Sequence, residues 1–350
     1  MNINRTNNFD LIRLIAAMQV LIWHGAVHFK IFDDMYGFLS VLFHFPGVPV
    51  FFTISGFLIS YSLERNNFDL KKYFRNRALR IYPALWVCTI LTGLLLIYFL
   101  RPIIIKDLLI WFVAQITFLQ FYVTPSLKAW GAGHPNGSLW SIAVELQFYL
   151  ILPIVLYIIN RAKKLSHINI IIAIMFVLAV MMRYVINTNP WILSHELLAK
   201  FLGNTVLYYL YFFLTGIAIY KNWGWLEKFL REKVFIWLVI YVAYVLVFHT
   251  WLKLYIDPYD VSVFGIIANT LLSLFSLSFA FSYINLSKNL LNENDISYGI
   301  YIYHLPVINT MLSYGFFGSI WDLIVMAIIV SILAYASWKL IEQRALKAKF

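Results

Sequence analysis

Residues 9–30, FDLIRLIAAMQVLIWHGAVHFK, decide the fold. The run is long enough to cross the hydrocarbon core of a bilayer, which takes about 20 residues as an α-helix. It is too long for the apolar region of a secretory signal, it contains Arg13, and it has no small-residue cleavage site. The expectation is a permanent first span, not a cleaved leader. Comparable apolar runs follow at 46–63, 81–99, 139–159, 168–186, 204–220, 234–251, 261–283, 297–315 and 321–340. A shorter run at 108–122, followed by a polar stretch with Gly and Pro, is either a span or a re-entrant segment. The fold class expected is therefore an all-α, polytopic integral membrane bundle of about ten transmembrane helices plus one re-entrant candidate.

Composition requires lipid as the solvent. The 350 residues are 62% hydrophobic and only 12% charged, with 30 Phe, 23 Tyr and 12 Trp. A soluble domain is about half apolar and a quarter charged, so too few polar side chains are present to cover this much apolar surface. A net charge of +11 would suggest nucleic acid for a soluble chain, but here the distribution of charge matters more than its sum. With ten spans, 20 Lys and Arg share a side with both termini, and seven (Lys30, Arg101, Lys106, Lys128, Arg183, Lys200, Lys253) fall opposite. Positive residues favour the cytoplasmic side, so both termini are expected inside. Counting 108–122 as a span would move Arg161, Lys163 and Lys164 outward. The single cysteine, Cys88, excludes an internal disulfide and a thiolate metal cluster and reads as a small core residue. No repeat, linker or appended soluble domain is visible, so 1–350 is read as one membrane domain.

An ionisable group at mid-bilayer costs a few kcal/mol or more, which makes such residues the informative ones. Arg13 lies about one turn inside the first span and His24 comes eleven residues later. That spacing turns a helix by about 1100°, three turns plus roughly 20°, so both side chains share a face about 16 Å apart along the axis. The pair suits a long ligand with an anionic end at Arg13 and a reactive end at His24, and histidine can take a hydroxyl proton near neutral pH. Spacing alone favours a plainer alternative, with Arg13 snorkelling to the cytoplasm and His24 hydrogen-bonded inside the bundle. His28, four residues on, is expected near the outer interface. A His-x-x-x-His pair can bind metal, but no adjacent glutamate and no third ligand among Asp33, Asp34 and His44 stands out, so no metal is expected.

The segment 64–80 is the densest in positive charge, and Arg77 and Arg80 are spaced to grip a phosphate from two sides. Topology determination and headgroup contact account for most of its lysines. Glu145 lies about two turns into the span that follows Gly137-Ser138-Leu139-Trp140-Ser141. It can orient a base, bind a sugar hydroxyl or pair with an arginine. In Ser297-Tyr298-x-x-Tyr301-x-x-His304-x-Pro306, the proline opens backbone bonding beside His304. That makes a polar cavity plausible, with a carbonyl-satisfied core histidine as the competing reading.

Together these fragments resemble the membrane-bound acyltransferase family 3, typified by bacterial O-antigen and exopolysaccharide O-acetyltransferases. The resemblance covers essentially the whole chain. It rests on Phe9-Asp10-Leu11-x-Arg13 with ten residues to His24, and on Gly47-Val48-x-x-Phe51-Phe52-x-Ile54-Ser55-Gly56-Phe57-Leu58. It continues through Arg77-x-x-Arg80-Ile81-x-Pro83, Ser138-Leu139-Trp140-Ser141 to Glu145 and Phe148-Tyr149, and Ser297-Tyr298 to His304-x-Pro306. It implies a bacterial inner-membrane enzyme that takes an acyl group from cytoplasmic acyl-CoA, most often acetyl-CoA, to a hydroxyl of a glycan or lipid-linked glycan. Arg13, Arg77 and Arg80 match the positions assigned to the donor, and His24 matches the essential histidine, the general base. Glu145 joins it as a catalytic candidate, and Ser141, Tyr301 and His304 are candidates for the acceptor side. The chain departs from the family pattern at Pro49, where many members are acidic, at Leu146, where a second glutamate often stands, and at Arg344, often proline. The residues alone keep a polytopic transporter or flippase, or a membrane scaffold, as alternatives, although no inverted repeat or paired broken helices is visible.

Overall fold

A computed structural model describes residues 7–31, 36–254, 256–257 and 259–348. Among these, every regular element is helical. The first half comprises α1 (Phe9–His28), α2 (Tyr36–Phe43), α3 (Gly47–Arg65), α4 (Leu70–Phe99), α5 (Ile105–Ile116), α6 (Trp140–Asn160) and α7 (Leu165–Thr188). Two short helices, α8 (Pro190–Ser194) and α9 (Glu196–Leu202), precede α10 (Val206–Lys221), α11 (Trp223–Leu230), α12 (Val234–Val245) and α13 (Val263–Ala280). The chain ends with α14 (Leu286–Leu291), α15 (Ser297–Ser313), α16 (Ile320–Ser337) and α17 (Gln343–Lys347).

Among the described residues, nine helical segments are long and apolar enough to cross a membrane. They match nine of the ten expected runs. The tenth, 297–315, is α15, whose 17 residues are at the short end of the spanning range of about 17–25. The 108–122 run contributes only the 12-residue α5. At 1.5 Å per residue such a helix rises about 18 Å, short of a core about 30 Å thick, so it does not cross by itself. The architecture is the expected all-α polytopic bundle.

The chain divides into two compact units, each assembled from separated segments. The first comprises Met1–Ala16, His44–Leu70 and Gln147–Glu293. Its centre is a backbone-to-backbone approach of α3 and α10. A Cβ on Gly56 would lie 2.2 Å from the Phe213 carbonyl oxygen, and one on Gly216 would lie 2.1 Å from that of Thr53. Small residues let membrane helices approach closely enough for dense packing where lipid supplies no hydrophobic drive. Phe213 is stacked between Phe148 and Phe52, at centroid distances of 3.9 and 4.6 Å. Charges in this unit are paired: Lys221 meets Glu64 at 2.5 Å, and Tyr220 and Asn160 each donate to the same carboxylate at 2.7 Å. Arg183, buried on α7, lies 4.3 Å from the Tyr208 ring and donates to the Tyr211 hydroxyl at 3.1 Å. Ile174, Val177 and Leu178 on the same helix are each more than half exposed, the surface expected against lipid.

The second unit comprises Ala17–Phe43, Lys71–Leu146 and Asn294–Phe350. Its core is α15, whose side chains from Gly299 to Asn309 are all buried. Gly299 packs on Ala334 of α16, where an added Cβ would come within 2.7 Å of the Ala334 Cα. Gly25 of α1 is covered by Leu323 and Met326 in the same way.

Gly216→Val places two methyl groups where the Thr53 carbonyl already stands. Overpacking of this kind costs about 1–3 kcal/mol, and here the obstacle is backbone, so the expected outcome is aggregation or a much lower melting temperature. Size-exclusion chromatography and thermal unfolding in detergent check this against Gly224→Ala, where nothing lies within 4 Å of the added Cβ.

Candidate active site

The site is built on α15. Pro306 has no N–H, so the Ile302 carbonyl four residues earlier loses its helical donor. Asn136 donates its side-chain amide to that carbonyl at 2.9 Å, and the Cys88 thiol approaches it at 3.2 Å. The Asn136 side-chain oxygen accepts from the Ser138 hydroxyl at 2.9 Å. One turn further along α15, Asn309 donates to the carbonyls of His134 and Pro135 at 2.8 and 3.1 Å and accepts from the Ala132 N–H at 2.8 Å. Residues 132–138 are thus latched to α15 by two buried amides. Gly131, at φ +56°, lets the chain pass Asn309, whose Oδ1 would be 2.3 Å from a Cβ there.

The His24 ring of α1 faces His304. Its Nδ1 lies 2.8 Å from His304 Nε2, and the rings stack at 5.1 Å with planes 18° apart. His304 is fully buried, and its Nδ1 lies 2.7 Å from the Tyr301 carbonyl oxygen. The carbonyl-satisfied reading describes its Nδ1, and its other nitrogen meets His24. His24 also lines a cavity of about 150 Å³ whose wall includes His28, His134, Ser138, Trp140 and Leu305. Behind the wall, the Tyr301 hydroxyl bonds Ser141 Oγ at 2.6 Å and donates to the Ser138 carbonyl at 3.1 Å. Glu145 is within electrostatic reach of the Tyr73, Tyr298 and Tyr301 hydroxyls.

A second polar cluster lies where α15 begins. Arg80 of α4 forms an ion pair with the buried Asp295. The other Asp295 oxygen accepts from the Ser297 hydroxyl at 2.5 Å and its N–H at 3.3 Å. Glu342, buried in the π turn Trp338–Glu342, accepts from Ser337 at 3.0 Å and is in electrostatic reach of Arg80. Arg77 and Glu145 both lie within electrostatic reach of the Tyr73 hydroxyl. Lys71, Lys72 and Arg75 are exposed at the start of α4. In the first unit, Arg13 pairs with Asp10 at 2.7 Å, one turn back along an unbroken α1.

Of the candidate residues, the second unit joins His24, His304, Tyr301 and Ser141 through direct or one-step contacts, with Glu145 in electrostatic reach of Tyr301, while Arg80 belongs to the cluster where α15 begins. Sequence reasoning passed over Asn136, Asn309, His134 and Asp295. The available signal was Pro306, because a proline in a span needs a donor from elsewhere for the carbonyl it leaves open. Among the described residues, no group of three His, Cys, Asp or Glu side chains is arranged to hold a metal ion. His44, in the first unit, lies edge-on to His249 at 4.7 Å, and Asp33 and Asp34 lie outside the described residues.

A family model described as an acyltransferase domain matches residues 6–339. The chain belongs to acyltransferase family 3. It is accordingly an acyltransferase and a multi-pass membrane enzyme, which removes the transporter and scaffold alternatives. It is similar to Nodulation protein 10 of Rhizobium leguminosarum bv. viciae, at 32% identity over 98% of this chain and 94% of that protein. It is also similar to an O-acetyl transferase of Shigella phage Sf6, at 29% identity over 98% and 97% of the two chains. The O-acetyltransferase OatA of Staphylococcus aureus is 26% identical over 87% of this chain and 53% of its own length. No solved structure matches the chain. Two of the departures from the family pattern sit in structural positions, and the third, Arg344, is exposed on α17. Pro49 falls in the first turn of α3, where an N–H is not needed by the helix, and Leu146 is packed in the core.

Asn309→Leu removes three hydrogen bonds and leaves two carbonyls and an N–H of the 132–138 segment without that partner. Each buried group left unpaired costs about 1–3 kcal/mol. The expected result is a folded protein with a lowered melting temperature and faster proteolysis within 130–139, checked by thermal unfolding and mass spectrometry of limited digests.

Proposed function

We propose that this enzyme moves an acyl group, most simply acetyl, from acyl-CoA to a hydroxyl of an extracytoplasmic or lipid-linked polysaccharide such as O-antigen or exopolysaccharide. The observation that carries the reading is His24, an imidazole on a cavity wall with its Nδ1 occupied by a buried partner. That arrangement suits a general base. The acceptor hydroxyl gives its proton to His24 as its oxygen attacks the acyl carbonyl carbon, and the carbon–sulfur bond breaks to release the thiolate. α6 begins at the wall of the same cavity, where Trp140 lines it, and its positive end favours the oxygen that gains charge. Glu145 tunes the polarity behind His24, and Ser141 and Tyr301 hold the wall in place on the acceptor side.

Arg13, Arg77 and Arg80 are the proposed donor contacts, by their match to the family's motifs. The exposed Lys71, Lys72 and Arg75 extend a surface suited to the phosphates of acyl-CoA. Both termini and this basic segment face the cytoplasm of a bacterial inner membrane in this reading, which the distribution of Lys and Arg supports. The O-acetyltransferase names of the phage and staphylococcal relatives, and the name peptidoglycan O-acetyltransferase carried by a Listeria monocytogenes relative, support transfer to a glycan.

Membranes carrying wild-type or His24→Ala protein, given radiolabelled acetyl-CoA and cell-envelope glycan, test the reading. His24→Ala is expected to lose about 10²–10⁴-fold in glycan acetylation, the usual contribution of a general base, and undiminished transfer would refute it. Arg77→Ala is expected to weaken acetyl-CoA binding. Arg80→Ala also strands the buried Asp295, at about 3–5 kcal/mol, so it is expected to lower the melting temperature as well.

A further inference from the structure

We infer that His304 is a positioning residue, fixing the tautomer of His24 so that Nε2 presents its lone pair to the acceptor hydroxyl. The inference rests on His24 being the base. It follows from which atoms can share a proton. The Tyr301 carbonyl oxygen, 2.7 Å from His304 Nδ1, can only accept, so Nδ1 carries a hydrogen. A neutral imidazole has one N–H, which leaves His304 Nε2 with a lone pair. His24 Nδ1 lies 2.8 Å from that lone pair and must be protonated, because two lone pairs would otherwise face each other. The remaining nitrogen, His24 Nε2, is therefore bare in the neutral state. Each step uses an atom whose role is set by the one before it, starting from a backbone carbonyl that cannot change its role.

The burial of His304 gives this order its force. With no exposed surface, it offers no water to exchange with the bond at either nitrogen. The Tyr301 carbonyl of α15 holds it as an acceptor towards His24. When Nε2 of His24 takes the hydroxyl proton, the imidazolium keeps its Nδ1–H on the His304 lone pair, which stabilises the new charge. The proton then leaves from Nε2 to the released thiolate sulfur. Both rings return to their starting tautomers, and no other reactant is required.

The test reads the tautomer directly in full-length protein reconstituted in lipid nanodiscs with 15N-labelled histidine. In wild type, the His24 resonances are expected to show a protonated Nδ1 and a bare Nε2. In His304→Ala, the ring is expected to revert to the Nε2–H form that free histidine prefers. In that variant kcat is expected to fall about 100-fold, with KM for acetyl-CoA within about twofold, since the loss is of a correctly prepared base. His304→Gln, whose side-chain oxygen can accept from Nδ1–H, is expected to restore the Nδ1–H tautomer and at least about tenfold of the lost kcat. A wild-type His24 with its proton on Nε2 would overturn the inference, as would a folded His304→Ala with unchanged tautomer and kcat. Should His304→Ala fail to fold, the wild-type spectrum and His304→Gln still decide. Activity retained by His24→Ala would sink the base reading alone, because the tautomer is read without turnover.

Discussion

A backbone carbonyl without a donor is costly in hydrocarbon, where no water can replace the missing bond. Pro306 creates one such carbonyl at Ile302, inside the most buried helix of the second unit, and the site is arranged around its repair. Asn136 must reach it, and that requirement brings the 132–138 segment against α15. Asn309 secures the same segment at three further backbone groups. The segment in turn supplies His134, Ser138 and the start of α6 to the cavity that His24 lines. A proline that would only bend an ordinary soluble helix therefore organises the wall of the cavity that His24 lines.

Ionisable groups in this chain follow the same economy. Arg80 and Asp295 neutralise each other where α15 begins, and the carboxylate also holds the first N–H of that helix. One interaction thereby orients a basic side chain, starts a helix and removes a charge from an apolar setting. Arg183 survives burial by a different route, through tyrosine ring faces and one phenolic oxygen. Guanidinium is weakly hydrated and stacks on aromatic faces, so it tolerates this better than an ammonium would. In both cases the partner is remote in sequence.

The His24–His304 contact joins these structural solutions to chemistry. Two neutral histidines stacked 5.1 Å apart are of little use for stability alone, since each could be replaced by an apolar ring. Their value lies in direction: a carbonyl at one end and a cavity at the other give the pair a donor end and an acceptor end. Gly299 lets α15, the helix that carries His304, pack closely on Ala334 of α16.

The sequence by itself determined the solvent, the helical class and nearly all of the spans, because hydrocarbon leaves few ways to satisfy a backbone and the composition admits no other environment. It also placed Arg13, Arg77, Arg80, His24, Glu145 and the His304 segment in one family pattern, since those motifs are local and keep their spacing. Only the tertiary structure decided who meets whom. Residues 24 and 304 are 280 positions apart, and 80 and 295 are 215 apart, separations over which no periodicity carries information. Asn136, Asn309 and Asp295 were silent for the same reason: each is ordinary in its own stretch and gains meaning from a carbonyl or a guanidinium that packing delivers. Local chemistry is written along the chain, but hydrogen bonds that close a site depend on three-dimensional proximity, and folding alone supplies that.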